Sequence, residues 1–215
     1  MKTSCTSILF LFLFTGSSVF SQNSEKRFRT ILSAGIVGSQ VDGDTYSGYN
    51  KSGLYGGVYV NTAFDQKNEL EFGITYIQKG ARKNANPNKG DLSFYLFRTN
   101  YIEVPLMYKI NIKKFKLEMG LSYAYLFKYT EQNTYGYYND KKLKNYDACY
   151  NLGAGYKISD DLYVNLRYNY SFLPIRSYST LTGVYLGNFW SRIFNRGLYN
   201  NDVVLSINYI LKPKQ

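Results

Sequence analysis

The chain has 215 residues, the size of one domain or of two small ones. Aromatic residues make up 18% of it, which excludes a largely disordered chain, and two cysteines are too few for a disulfide scaffold. The net charge is +11. Because histidine is absent, histidine-based catalysis and histidine-ligated metal sites are excluded, and no cofactor is expected.

The first 21 residues have the three parts of a secretory signal peptide. Lys2 provides a basic start, residues 8–14 form a short apolar run, and small residues follow up to Ser21. The apolar run is too short to cross a bilayer as a helix. We expect cleavage after Ser21, with residues 1–21 as signal peptide and residues 22–215 as one barrel domain. An uncleaved anchor is the alternative.

The rest of the chain alternates apolar and polar residues in a pattern that predicts eight strands. A period of two over about ten residues is typical of a strand that crosses a bilayer at a tilt. An even strand number is the rule for single-chain bacterial barrels. In chain order, the predicted strands lie at about residues 27–40, 54–64, 70–77, 102–110, 116–127, 146–158, 162–170 and 203–211.

The connections between these strands alternate in length. Short links are expected near residues 65–68, 111–114 and 159–161, and long links near residues 41–53, 82–98, 130–145 and 172–199. Strict alternation disfavours a soluble sandwich, and a polar phase rich in glycine and charge disfavours a lipocalin-type barrel with a polar outer surface. The predicted fold is therefore an all-β, eight-stranded antiparallel up-and-down transmembrane β-barrel. Its short turns are expected in the periplasm and its long loops outside the cell.

Four strings within the strands carry a family resemblance. They are Tyr76–Gly80 (YIQKG), Tyr101–Leu106 (YIEVPL), Leu152–Tyr156 (LGAGY) and Leu166–Tyr170 (LRYNY). Their order and spacing resemble the PorT-like outer-membrane β-barrel family, a porin-family group, across nearly the whole mature chain. The YIEVPL string is the most specific of them. The resemblance implies an eight-stranded barrel in a Gram-negative cell envelope, and the namesake of the family assists a system that secretes proteases.

The polar phase of the predicted strands places charged side chains inside the barrel. Eight strands enclose an interior that side chains just fill, and buried charges need partners. We expect an ion-pair network that seals the lumen. Lys79 also lies in the inward phase, and the predicted members of the network are Glu71, Glu103, Glu118, Lys109, Lys116, Lys157 and Arg167. A gate or proton-sensitive site is the functional alternative. A filled lumen gives a sugar no access to paired carboxylates.

The fourth long connection, residues 172–199, is the strongest candidate for a binding surface. It is longer than most loops without a role, and it combines the aromatic and arginine residues that binding hot spots favour. A loop that packs on itself and caps the barrel is the alternative. The candidate surface consists of Tyr185, Phe189, Trp190, Arg192 and Arg196.

The expected function is that of a non-catalytic protein in the outer membrane of a Gram-negative bacterium. It would act through its extracellular loops in surface interaction or in assisting protein secretion. The basic residues of the long loops suit the phosphates of lipopolysaccharide, with an envelope or secretion-system protein as a further partner and no nucleic acid. An outer-membrane enzyme acting on lipid or peptide, and a narrow channel, are the alternative functions.

Overall fold

The computed structural model describes residues 28–44, 46, 48–138, 143–177 and 197–211. In these residues there are ten strands and one 3-10 helix, Pro87–Lys89. No helix among them is long and apolar enough to cross a membrane. The strands are β1 (Phe28–Asp42), β2 (Lys51–Ala63), β3 (Asn68–Lys83), β4 (Tyr95–Ile112), β5 (Phe115–Asn133), β6 (Gly136–Tyr138), β7 (Tyr146–Lys157), β8 (Leu162–Ser171), β9 (Arg176–Ser177) and β10 (Gly197–Leu211).

Eight of these strands form a closed antiparallel ring. The order is β1-β2-β3-β4-β5-β7-β8-β10, and β10 pairs back with β1 from Thr30 opposite Leu211 to Asp42 opposite Tyr199. Closure removes the free edges that an open sheet would expose. The two remaining strands are short additions, since β6 pairs with the end of β5 and β9 with the start of β10. The predicted eight-stranded antiparallel barrel is therefore confirmed.

The strands extend further toward the long loops than the alternation predicted. β3 continues to Lys83 and β4 begins at Tyr95, so the connection between them is shorter than the expected residues 82–98. At this end the outward positions carry polar or charged residues such as Gln78 and Arg82, and both phases of the pattern become polar. The alternation that marks a strand is lost there, although the backbone pairing continues.

The two faces of the barrel wall have opposite character. Outward side chains are apolar and exposed, for example Ile36 (60%), Leu54 (62%) and Ile74 (59%). Inward side chains are mostly polar or charged and are buried, including Lys79 and Glu103. A soluble barrel shows the reverse arrangement, so the outer belt is suited to lipid and not to water.

Pro105 lies within β4, which is paired on both sides. The β3–β4 pairs reach Phe72 opposite Leu106 and resume at Thr75 opposite Glu103, without a change of register. Proline has no backbone N–H to donate, so an interruption of the ladder at this position has a direct cause.

Candidate functional site

Three clusters of apolar side chains fill the lumen at successive heights, and charged side chains lie between them. All members of the clusters are buried, so these levels of the described lumen are packed with side chains. From the short-turn end upward the clusters are Ile31, Tyr59, Tyr163 and Ile210; then Val37, Tyr55, Ile77, Tyr101, Ala124, Leu126 and Val204; then Val41, Ala81, Phe97, Ile175 and Leu198.

Arg167 and Glu118 form the most complete ion pair of the lower lumen. The Nε of Arg167 lies 2.6 Å from Oε1 of Glu118, and its Nη2 lies 3.2 Å from Oε2. Its Nη1 donates to the hydroxyls of Tyr55 (3.1 Å) and Tyr59 (3.0 Å). The amide of Asn165 donates to Oε1 of Glu118 at 2.8 Å. Both charged groups are thus bonded from several strands, as a buried pair requires.

Lys109 joins this pair to a second carboxylate. Its Nζ lies 2.7 Å from Glu71 and 3.2 Å from Glu118, and it donates to the hydroxyl of Tyr163 at 3.2 Å. Opposite Glu118, the chain has Gly153, where a Cβ would lie only 2.6 Å from the carboxylate. The missing side chain gives the Glu118 carboxylate the room it occupies.

Nearer the short turns, Lys116 pairs with Glu69 at 2.8 Å. Arg29 lies 3.4 Å from the other oxygen of Glu69, and the amides of Asn61 and Asn111 also donate to this carboxylate. Together with the pairs above, the lower lumen has carboxylates and cations in comparable number.

The upper lumen differs, because one cation there faces three carboxylates. The Nζ of Lys79 lies 3.3 Å from Glu103, 3.3 Å from Asp147 and 3.6 Å from Asp202. It also donates to Asn169 at 3.0 Å. All of these side chains are buried, and the Oδ1 atom of Asp147 has no hydrogen-bond partner among the described residues. Lys79 is therefore the central group of this cluster.

The structure brings together most of the residues that the sequence analysis assigned to the lumen, with two differences. Glu103 was expected to meet Lys109, Lys116, Lys157 or Arg167, and it lies beside Lys79 instead. Lys157 is only half-buried at the end of β7 and belongs to no ion pair in the described chain. Its place next to a short turn allows its ammonium to remain solvated.

Three further members of the network were missed, namely Glu69, Asp147 and Asp202, and Lys79 was placed in the inward phase but not counted as a member. Each lies in the inward phase of its strand, so the alternation held a signal for all of them. Glu69 and Asp202 lie one residue before the predicted starts of their strands, and Asp147 lies at the start of a predicted strand, in its inward phase. Which cation meets which carboxylate depends on strand register and tilt across the lumen, and alternation carries no information on these.

The mouth of the barrel on the long-loop side is closed by a further ion pair. Arg176 of β9 binds both oxygens of Glu131, at 3.2 and 2.6 Å, above the ring of Phe97. Arg176 is only 5% exposed, so it is not one of the free surface charges that the sequence suggested for this loop. The pairing of β9 with β10 carries its side chain inward over the lumen.

The first long loop contributes a partly buried carboxyl group near this mouth. Burial raises the pKa of Asp44 to about 6, although the backbone N–H of Tyr46 donates to its carboxylate at 2.8 Å. The ring of Tyr46 stacks on that of Tyr95, with 4.8 Å between ring centroids. The Nζ of Lys83 lies over the ring of Tyr46, 5.5 Å from its centroid.

The candidate binding surface of the fourth loop lies outside the described residues, as do residues 1–27. The described residues contain no group of three or more histidine, cysteine, aspartate or glutamate side chains arranged to hold a metal ion. Cys149 is buried beside Lys79 and Ser171, and burial suits a structural thiol better than a reactive one.

A closed ring of eight strands with an apolar outer belt and a lumen filled by ion pairs defines the class of small membrane β-barrels. Residues 20–176 match the family model described as outer membrane protein beta-barrel domain. The chain belongs to this outer-membrane β-barrel family. No curated protein sequence matches it.

Several solved barrels are similar in architecture. Ail, the attachment invasion locus protein of Yersinia pestis, in complex with the heparin analogue sucrose octasulfate, is 12% identical with a TM-score of 0.48; the match covers 86% of this chain and 99% of Ail. Neisserial surface protein A is 9% identical with a TM-score of 0.48, covering 85% and 96%. OprG from Pseudomonas aeruginosa is 11% identical with a TM-score of 0.38, covering 86% and 96%.

Proposed function

We propose that this protein is a non-catalytic outer-membrane barrel that uses its extracellular loops for surface interaction or to assist protein secretion. The observation that carries the proposal is the filled lumen. Its ionisable groups bind one another, so they are not available to a substrate, and three apolar clusters close the interior. The role of the ion pairs is to fix strand register and to seal the barrel.

The proposed location is the outer membrane of a Gram-negative bacterium, reached after cleavage behind Ser21. The outer apolar belt and the family match support an outer-membrane protein. Membership of the PorT-like group is a finer proposal, supported by the YIEVPL string at residues 101–106.

The proposed binding surface is on the fourth loop, at Tyr185, Phe189, Trp190, Arg192 and Arg196. Aromatic and arginine side chains contribute most to the affinity of protein interfaces. An envelope or secretion-system protein is the proposed partner, and outer-leaflet lipopolysaccharide is the proposed surrounding of the basic loops. Nucleic acid is not a proposed partner, because an outer-membrane surface presents other polyanions first.

The test is crosslinking and pull-down from intact outer membranes, with and without the fourth loop. One variant replaces residues 178–196 by a four-residue turn, and a matched control shortens residues 85–93 in the second long loop. Both variants should keep the different gel mobilities of heated and unheated barrels. We expect partner capture to be lost only when residues 178–196 are removed.

Two results would contradict the proposal. Equal capture by the two variants would place the activity outside the fourth loop. Hydrolysis of lipid or peptide by the purified barrel would support the enzyme alternative.

A further inference from the structure

Three cations project outward from neighbouring strands at the long-loop end of the barrel. They are Arg82 on β3, Arg98 on β4 and Lys128 on β5, and all three are exposed. We name this set the basic wall site. It belongs to the barrel wall and not to the loops.

The strand register makes the three side chains close neighbours. Arg98 lies opposite Gly80, two positions from Arg82, and Lys128 lies opposite Asn100, two positions from Arg98. Diagonal neighbours of this kind are about 7–8 Å apart, within reach of long side chains. Arg82 and Lys128 thus lie on either side of Arg98, and an extended ligand bound to Arg98 is within reach of both.

A β-bulge is what turns Lys128 outward. Ala124 and Leu126 of β5 point into the lumen, and strict alternation would direct Lys128 there as well. The β4–β5 register shifts between Asn100 and Tyr101, so that β5 contains one extra residue, Phe127, at this point. Lys128 is exposed as a result, and re-aiming a side chain is a common role of a bulge.

Gly80 keeps the wall open between the two arginines. Its φ is +135°, and a Cβ would lie 2.0 Å from the carbonyl oxygen of Phe97, so no side chain fits there. A fourth cation, the buried Lys51, donates to the side-chain oxygen of Gln78 at 3.3 Å and is close enough for Arg82 and Arg98 to repel its charge.

None of the three cations of the basic wall site pairs with a carboxylate among the described residues. Arg82 donates to the amide oxygen of Asn84 at 2.7 Å. Clustered like charges repel one another unless an anion lies between them. Arginine suits phosphate oxygens especially well, because its guanidinium can bond two of them at once.

The position of the site relative to the membrane points to the source of that anion. Below Arg98, and level with Lys128, the side chains of Tyr76, Gln78 and Asn100 are joined by hydrogen bonds of 2.8–3.3 Å. Below this polar band, Ile74 and Ile102 begin the exposed apolar belt. The order of apolar, polar and cationic bands matches the order of acyl chain, sugar or glycerol, and phosphate in a lipid of the outer leaflet.

The other side of the barrel lacks this arrangement in its described part. There, the outward positions of β7 and β8 carry a cluster of tyrosine rings in mutual contact, including Tyr150, Tyr168 and Tyr170, and the outward charge on β1 is Asp42. A generic attraction to anionic membranes would not need such a one-sided arrangement.

We propose that the basic wall site binds the phosphorylated sugar headgroup of an outer-leaflet glycolipid, whose acyl chains lie on the wall of β3–β5. The proposal rests on the outer-membrane location proposed above, but it does not depend on the activity of the fourth loop.

The experiment measures lipid binding to the refolded barrel in nanodiscs by native mass spectrometry. The discs contain phosphatidylcholine with bisphosphorylated lipid A, dephosphorylated lipid A or phosphatidylglycerol, and inorganic phosphate is added to the first set as competitor. The test variant is R82Q/R98Q/K128Q. The matched control, K67Q/K89Q/K114Q, removes three other exposed lysines.

We expect the wild type and the control to retain bisphosphorylated lipid A, and the test variant to bind it roughly a hundredfold more weakly, at about fivefold for each cation. Dephosphorylated lipid A and phosphatidylglycerol should bind much more weakly than bisphosphorylated lipid A. Inorganic phosphate at millimolar concentration should not displace bisphosphorylated lipid A. Equal binding by wild type and test variant would overturn the proposal, as would equal binding of lipid A with and without phosphate. If phosphatidylglycerol binds as tightly as lipid A, the site is a general anionic-lipid site and the glycolipid proposal is wrong.

The outcome is separable from the proposed function. A barrel without residues 178–196 should bind lipid A like the wild type even when it captures no partner. Loss of lipid A from that variant would place the glycolipid site on the fourth loop and contradict the basic wall site.

Discussion

Replacing Arg167 by methionine should destabilise the barrel strongly, because it leaves a buried carboxylate short of its main partner. Arg167 is 5% exposed and bonds both oxygens of Glu118. Removing one member of a buried pair costs roughly 3–5 kcal/mol. Glu118 would retain Lys109 at 3.2 Å and Asn165 at 2.8 Å, so we expect the lower end, about 3 kcal/mol.

The double variant Arg167→Met/Glu118→Met separates loss of the pair from loss of packing. Replacing both members of a buried pair by apolar residues of similar size is often close to neutral. Lys109 keeps Glu71 at 2.7 Å in this variant. We therefore expect the double variant to recover most of the stability lost in Arg167→Met, and the double-mutant cycle to show a coupling of about 2 kcal/mol.

The assay is urea unfolding of the barrel in detergent or lipid vesicles, followed by far-UV circular dichroism and by gel mobility without heating. Lys157→Met is the matched control, because Lys157 shares the inward phase but belongs to no ion pair in the described chain. It should change stability by less than about 0.5 kcal/mol. If Arg167→Met unfolds at the same urea concentration as the control, the pair does not stabilise the fold and the reasoning is refuted.

In the upper cluster, Lys79→Met should prevent folding or destabilise more than Arg167→Met, since three carboxylates lose the one ammonium that pairs with them among the described residues. Glu103→Gln should stay within about 1 kcal/mol of wild type, and equal effects of the two variants in the same urea assay would argue against a central Lys79. The first loop should open as pH rises. The pKa of Asp44 is raised to about 6, so the stability that its buried carboxyl gives the loop is complete below about pH 4 and is lost as pH rises through 6. Amide exchange of residues 43–50 should show this change, and Asp44→Asn should abolish it. Replacing residues 178–196 by a short turn should leave the urea midpoint unchanged, because loop length affects stability weakly; a large loss would mean that the loop packs on the barrel.

The architecture was predictable because a transmembrane barrel imposes one rule on every strand. Each outward position must be apolar and each inward position must fit a narrow lumen, so residues such as Leu70, Phe72 and Ile74 reveal their strand without any long-range information. The rule stops where the strands leave the membrane. This is why β3 was predicted to end near Ile77, although its pairing continues to Lys83.

The partners within the lumen were less predictable. Lys79 meets side chains from β4, β7 and β10, and which of them it meets depends on how far each strand is shifted along its neighbour. The bulge that exposes Lys128 is a second example, since one extra residue reverses the phase of everything after it. Alternation gives the face of a residue but neither its height in the barrel nor a local change of phase.

Planar-bilayer recording of the purified, refolded barrel tests the closed lumen most directly. With Phe97, Tyr101 and Tyr163 buried in three successive clusters and Lys79 and Arg167 held by carboxylates, we predict no steady conductance above that of the bare bilayer. Variants that lack residues 178–196 should be equally silent, since the closure lies within the barrel. Steady, ion-selective conductance steps from the intact protein would contradict the account.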